Sequence, residues 1–152
     1  RGLVGSEMCI RDSSMCDAMH FAEELSGRYR DDRPPLAALD LSDASAMTCV
    51  GNDYGFDQVF ARQVNALGRP GDVLLAISTS GNSGNILEAC RAAKAVGMQV
   101  VSLTGNGGGA LRTMSDVDVC VPWSGYADRI QEVHIRCIHS WIDAMEQALT
   151  QG

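Results

Sequence analysis

The 152-residue chain has no apolar run long enough to span a bilayer, so no transmembrane helix and no membrane partner are expected. It has no C-x-x-C pair. Its six cysteines, Cys9, Cys16, Cys49, Cys90, Cys120 and Cys137, stand singly in predicted helices and strands. That pattern suits free thiols in a reducing cytoplasm and argues against a zinc site built from four cysteines. It has no basic stripe, and a formal charge of −7 argues against a nucleic-acid partner. Neither a Walker loop nor a dinucleotide fingerprint is present, and there is no internal repeat or low-complexity tract. What remains fits one domain, and 45% apolar residues are ample for a core.

The clearest stretch runs from Gly71 to Ser83. Val73–Ile77 reads as a strand buried on both faces. Ser78, Thr79, Ser80, Gly81, Asn82 and Ser83 follow at once. A helix is then predicted from Asn85 to Val96, stopped by Gly97. A hydroxyl-rich loop between strand and helix lies where α/β sheets bind ligands, with free N–H groups at the helix start. Ser78, Thr79, Ser80 and Ser83 add up to four hydroxyl donors without charge, which points to a phosphate monoester. An ordinary helix cap needs only one of them.

The rest of the chain alternates between strand and helix. Arg1–Ser13 shows no periodicity and reads as a non-native leader, resembling a translated sequencing adaptor. It is set apart from a domain at 14–152, and the chain is expected to be truncated at its N-terminus. Ser14 with Asp17 forms an S-x-x-D capping pattern, opening a helix that runs to about Arg28. Ala37–Leu41 reads as a strand. Ser42 or Asp43 caps a helix through Val50. Gly51–Gly55 reads as a loop, and Phe56–Leu67 as an amphipathic helix. Gln99–Thr104 is a strand, Gly105–Gly109 a flexible loop, Ala110–Met114 a short helix and Val117–Val121 a strand. A long helix covers Ala127 to about Leu149. This order predicts an α/β fold with a mainly parallel sheet flanked by helices on both faces.

Three clusters can carry chemistry. His20 and Glu24 are four apart on one helix and share a face. They could bind one divalent metal, or be an ordinary surface pair. The last helix carries Asp128, Arg129, Gln131, Glu132, His134 and His139. Periodicity alone does not decide which histidine faces a site and which is a core residue. Asn52-Asp53 could hydrogen-bond a sugar hydroxyl or serve only the turn.

Four blocks together resemble the sugar isomerase (SIS) domain, and within it the phosphoheptose isomerase family. They are Cys16–Arg30 (CDAMHFAEELSGRYR), Val50–Phe56 (VGNDYGF), Gly71–Ser83 (GDVLLAISTSGNS) and Gly125–Ile135 (GYADRIQEVHI). The resemblance implies a flavodoxin-like three-layer sandwich. It implies isomerisation of sedoheptulose 7-phosphate to D-glycero-D-manno-heptose 7-phosphate through an enediol, feeding ADP-heptose and the lipopolysaccharide core. It implies a cytoplasmic homotetramer with sites between subunits and one Zn2+ per site. By motif position, His20, Glu24, Gln131 and His139 match the zinc ligands, with Glu24 also the base and His139 the acid. Ser78, Thr79, Ser80 and Ser83 match the phosphate cradle. Ser14, Arg28, Asn52, Asp53, Asp128 and Gln131 match substrate-contacting positions.

The chain departs from that family before Ser14. The expected first strand and a glycine-rich loop reading roughly Gly-Asn-Gly-Gly-Ser have no counterpart among Ile10, Arg11, Asp12 and Ser13. The first strand and the N-terminal helix are therefore expected to be missing, leaving a polypeptide that is unstable or aggregates and is weak or inactive as an isomerase. A second reading is a non-catalytic SIS-domain binding protein, resembling the one that associates with the replication initiator DnaA. The complete set His20, Glu24, Gln131 and His139 favours the enzyme.

Overall fold

The computed structural model describes residues 3–5 and 13–150. Its organising element is β3 (Val73–Ser78). Side chains alternate along a strand, so β3 feeds two cores at once. Leu74 and Ala76 join one buried cluster, and Leu75 and Ile77 the other. On one side β3 pairs in parallel with β4 (Gln99–Thr104), from Val73↔Gln99 to Ser78↔Thr104. β4 pairs with β5 (Val117–Cys120). On the other side lies β1 (Leu3–Gly5), with Leu3↔Val73 and Gly5↔Leu75, and beyond it β2 (Ala38–Leu39). The order β2-β1-β3-β4-β5 is parallel throughout.

Two helical layers cover the sheet. One face holds α2 (Ala44–Tyr54), α3 (Ala61–Leu67), α4 (Gly84–Val96) and the short α5 (Leu111–Met114), around Phe60, Val64, Leu74, Ile86 and Ala89. The other holds α1 (Ser13–Ser26) and α6 (Ala127–Thr150), around Phe21, Leu25, Ile77, Leu103, Ile138 and Ile142. This is the predicted three-layer α/β arrangement. In a 2-1-3-4-5 sheet the connections reverse direction between β1 and β3, and the crevice beyond their carboxyl ends is the ligand position. The hydroxyl-rich stretch leaves β3 at that point.

Four expectations are corrected. The first strand is present: β1 fills the slot between β2 and β3. Three residues are too few to show periodicity, and this strand is specified by backbone pairing with neighbours that would otherwise carry open ladder edges. Residues 6–12 of the leader, with Cys9, Ile10, Arg11 and Asp12, lie outside the described residues. Ser14 and Asp17 do not form a capping box, because helix α1 already includes Ser13 and the Ser14 Oγ and Asp17 Oδ2 atoms are buried without a partner among the described residues. Gly51–Tyr54 is the end of α2 rather than a loop; Gly55, at φ 86°, supplies the stop. Phe56–Leu67 is not one helix but a 3-10 turn over Phe56–Gln58 followed by α3. Asp43 does cap α2, its Oδ1 accepting from the Ala46 N–H at 2.7 Å.

Candidate active site

The apolar positions of α1 (Ala18, Phe21, Ala22 and Leu25) are buried, which leaves His20, Glu23 and Glu24 on its flank. The long α6 lies beside it. There His20 Nε2 meets His139 Nε2 at 2.9 Å, across 119 residues of sequence. Glu23 Oε1 accepts from His20 Nδ1 at 2.9 Å, and Glu24 Oε1 lies 3.6 Å from His20 Nε2. Tyr29 stacks on the His139 ring, centroids 5.7 Å apart.

Arg33 ties this pair of helices together. Its guanidinium donates to the carbonyls of Glu24 (2.7 Å) and Leu25 (2.9 Å), capping α1. Its Nε donates to Glu146 Oε1 on α6 at 2.7 Å. The Tyr29 N–H donates to the same carboxylate at 3.3 Å. Desolvation by itself would raise the Glu146 carboxyl, but the hydrogen bonds from Arg33 and the Tyr29 N–H outweigh it and hold the group below its usual range.

The convergence has a chemical meaning. Two Nε2 atoms at 2.9 Å must share either one proton or one cation. Two imidazoles on a tetrahedral zinc, each at about 2.05 Å, would stand about 3.3 Å apart. Glu23 accepts a hydrogen bond from His20 Nδ1–H, which keeps the proton on Nδ1 and leaves the Nε2 lone pair for a ligand, the arrangement common around metal-bound histidine. His20, Glu23 and Glu24 also place one donor atom each within 4.8 Å of one another. Two imidazoles and a carboxylate therefore fit a divalent ion. The Gln131 side chain makes no hydrogen bond among the described residues, and eight residues separate it from His139, about 12 Å along the helix axis.

His134 is the core histidine left open by periodicity. It is fully buried, and Nε2 donates to the Thr104 carbonyl at 3.1 Å. Desolvation lowers its pKa, opposed by that bond and by Asp118.

The second half of the site is the loop after β3. Ser78 and Ser83 hydroxyls lie 3.1 Å apart, and Ser78 Oγ also accepts from the Gly81 N–H at 3.1 Å. Ser78 and Thr79 are buried and Ser80 is exposed. Ser83 occupies the N-cap of α4, yet its side chain makes no capping bond. The hydroxyls are therefore not consumed as caps, which leaves the helix start and its donors for an anion. Gly81 has φ 64°, and a Cβ there would lie 2.0 Å from the Gly108 oxygen. Only glycine lets the two loops touch so closely.

The remaining candidates are less gathered. Arg28 is exposed and, among the described residues, its side chain donates to the Arg30 carbonyl alone. Asn52 and Asp53 are exposed on α2 and bond each other at 2.8 Å. Asp128 is exposed at the start of α6, accepting from the Arg129 N–H. Ser14 is fully buried. A cavity of about 510 Å3 opens beside His20 and Glu23, reaching Leu39 and Asp40 on the sheet edge. Glu23, Tyr29 and Arg33 were missed from the sequence. Glu23 carried a signal, being three residues from His20 on one helix face; Tyr29 and Arg33 act across helices and carried none.

Comparison with known proteins gives a consistent result. The SIS domain family matches residues 11–105. A phosphoheptose isomerase of Aeromonas hydrophila is 57% identical over 143 residues, covering 94% of this chain and 74% of that protein. The solved structure of phosphoheptose isomerase from Neisseria gonorrhoeae superposes with a TM-score of 0.86 at 47% identity, over 96% of this chain and 77% of that one. The enzyme from Francisella tularensis gives 0.88 at 43% identity, over the same shares of the two chains.

Proposed function

Since the chain belongs to the SIS domain family, and within it to the phosphoheptose isomerases, we propose that this isomerase interconverts sedoheptulose 7-phosphate and D-glycero-D-manno-heptose 7-phosphate through an enediol. The observation that carries the mechanism is the contact between His20 and His139, with Glu24 beside them. It brings two distant blocks of sequence together, which supports reading these side chains as acid, base and ligand groups.

An aldose–ketose shift moves one proton between neighbouring carbons. Glu24 removes the proton from C1 of the ketose. His139 gives a proton to the C2 oxygen as the double bond forms, yielding the enediol. His139 then takes back a proton from the O1 hydroxyl while Glu24 returns the carbon proton to C2, which produces the aldehyde at C1 and restores both groups. No atom is gained or lost. Glu23 keeps His20 in one tautomer, and Arg33 holds the backbone of Glu24 against α6. The loop Ser78–Ser83 anchors the phosphate, so the far end of the sugar is fixed while the near end reacts. His20, Glu24 and His139, with Gln131 by motif position, would hold a Zn2+; such an ion would polarise the substrate carbonyl.

Substrate contacts from Ser14, Arg28, Asn52, Asp53 and Asp128 belong to this same reading. So do a homotetramer with sites between subunits, a cytoplasmic location and the first step of ADP-heptose supply to the lipopolysaccharide core. Among the described residues no helix is long and apolar enough to cross a membrane. The test is turnover of sedoheptulose 7-phosphate with and without chelator. Glu24→Gln is expected to lower kcat by about 10²-fold or more, the scale of a lost general base, while the fold persists. Unchanged turnover in that variant would remove Glu24 from the mechanism.

A further inference from the structure

The stretch Gly105–Gly109, expected to be a flexible loop, is instead a built support for the phosphate loop. Asn106 opens a 3-10 turn over Asn106–Gly108 and has φ 50°, the one non-glycine residue with positive φ among the described residues. Its backbone N–H donates to the Trp123 carbonyl at 3.1 Å, which ties the turn to the loop after β5. Its side-chain Nδ2 donates to the Thr79 carbonyl at 3.1 Å. Around this bond the two loops are packed without slack. The Leu111 N–H donates to the Gly81 carbonyl at 2.9 Å, and the Ala110 N–H to Asn82 Oδ1 at 3.0 Å. A Cβ on Gly109 would lie 2.6 Å from both Asn82 Nδ2 and the Ser80 oxygen.

The Thr79 carbonyl and the Ser80 N–H belong to one peptide unit. In a trans peptide they point in opposite directions. Fixing the carbonyl toward Asn106 therefore fixes the Ser80 N–H toward the other side, where Ser80 is exposed. That N–H has no hydrogen-bond partner among the described residues. We propose that Asn106 is a positioning residue of the anion cradle: it clamps the Thr79–Ser80 peptide so that the Ser80 N–H is presented to a phosphate. The strained backbone at position 106 is retained because it puts the amide in reach of Thr79.

This rests on the phosphate reading of Ser78–Ser83, and the two are separable by experiment. Glycine adopts φ 50° freely, so Asn106→Gly removes the amide without backbone strain. Asn106→Asp also tolerates that conformation but sets an acceptor against the Thr79 carbonyl. The experiment is calorimetric titration of the full chain with inorganic phosphate, with melting temperature and steady-state kinetics recorded alongside. Asn106→Gly is expected to weaken phosphate binding about tenfold, the scale of one positioned hydrogen bond. Asn106→Asp is expected to weaken it further, both variants remaining folded, with melting temperatures lowered by only a few degrees. The kinetic loss should fall in KM for the sugar phosphate, with kcat nearly preserved. Wild-type binding together with equal binding by both variants would overturn the role of Asn106 alone. A wild type that does not bind phosphate would overturn the phosphate reading and this role with it. A loss confined to kcat, with phosphate binding intact, would also refute the clamp.

Discussion

Replacing Asp17 by Asn should stabilise the protein, and only above acid pH. Asp17 lies near the start of α1, 9% exposed, with Oδ2 lacking a partner among the described residues. Burial pushes its carboxyl from 3.8 up to about 6, and the nearby His20 opposes that shift. The folded state thus prefers the protonated acid. Its relative contribution is fully present below pH 3.8, where the unfolded chain is protonated too, and is lost as pH rises through about 6. Above that, folding must carry a desolvated carboxylate. A shift of roughly two units at about 1.4 kcal/mol each gives a ceiling of about 3 kcal/mol. The asparagine amide is itself a polar group that must be desolvated there, which reduces the expected gain to about 1–2 kcal/mol. Asparagine has the same shape and no charge. Urea unfolding of both chains at pH 4, 5, 6 and 7.5 should show the smallest gap at pH 4, about 0.5 kcal/mol or less, widening to about 1–2 kcal/mol at pH 7.5, equivalent to about 2–8 °C in melting temperature. A variant that is less stable at pH 7.5, or a gap that does not change with pH, would refute the reasoning.

Other consequences follow from single residues. Gly81→Ala places a Cβ 2.0 Å from the Gly108 oxygen at φ 64°, and should cost about 2 kcal/mol or more and weaken inorganic phosphate binding at least tenfold by calorimetry. Ile138→Ala empties a fully buried position between α6 and the sheet, beside His139, and should lower the unfolding free energy by about 2–5 kcal/mol in urea titration. Burial pushes the Cys90 thiol up to about 12, against Lys94 and Arg91, so iodoacetamide at pH 8 should label exposed Cys16 and Cys49 and spare Cys90 by peptide mass spectrometry. Labelling of Cys90 as fast as Cys16 would show that α4 opens readily.

The sequence by itself determined the elements whose signals are local. β4 is found at Gln99–Thr104, as predicted, because its apolar run lies between two glycines, Gly97 and Gly105. α4 stops at Gly97, whose φ of 84° forms a left-handed cap. The hydroxyl cluster at the end of β3 was legible because Ser78, Thr79, Ser80 and Ser83 lie within six residues. Tertiary structure decided whatever depends on partners far along the chain. β1 is three residues long and is defined by the strands beside it. His134 and His139 share one helix, yet one bonds Thr104 in the core and the other meets His20. Which does which depends on how α6 is rotated against the sheet and α1, which Ile138, Ile142 and the Arg33–Glu146 pair set. The same holds for Asn106: a glycine-rich segment reads as slack, and only the loop packed against it shows that it bears on Thr79.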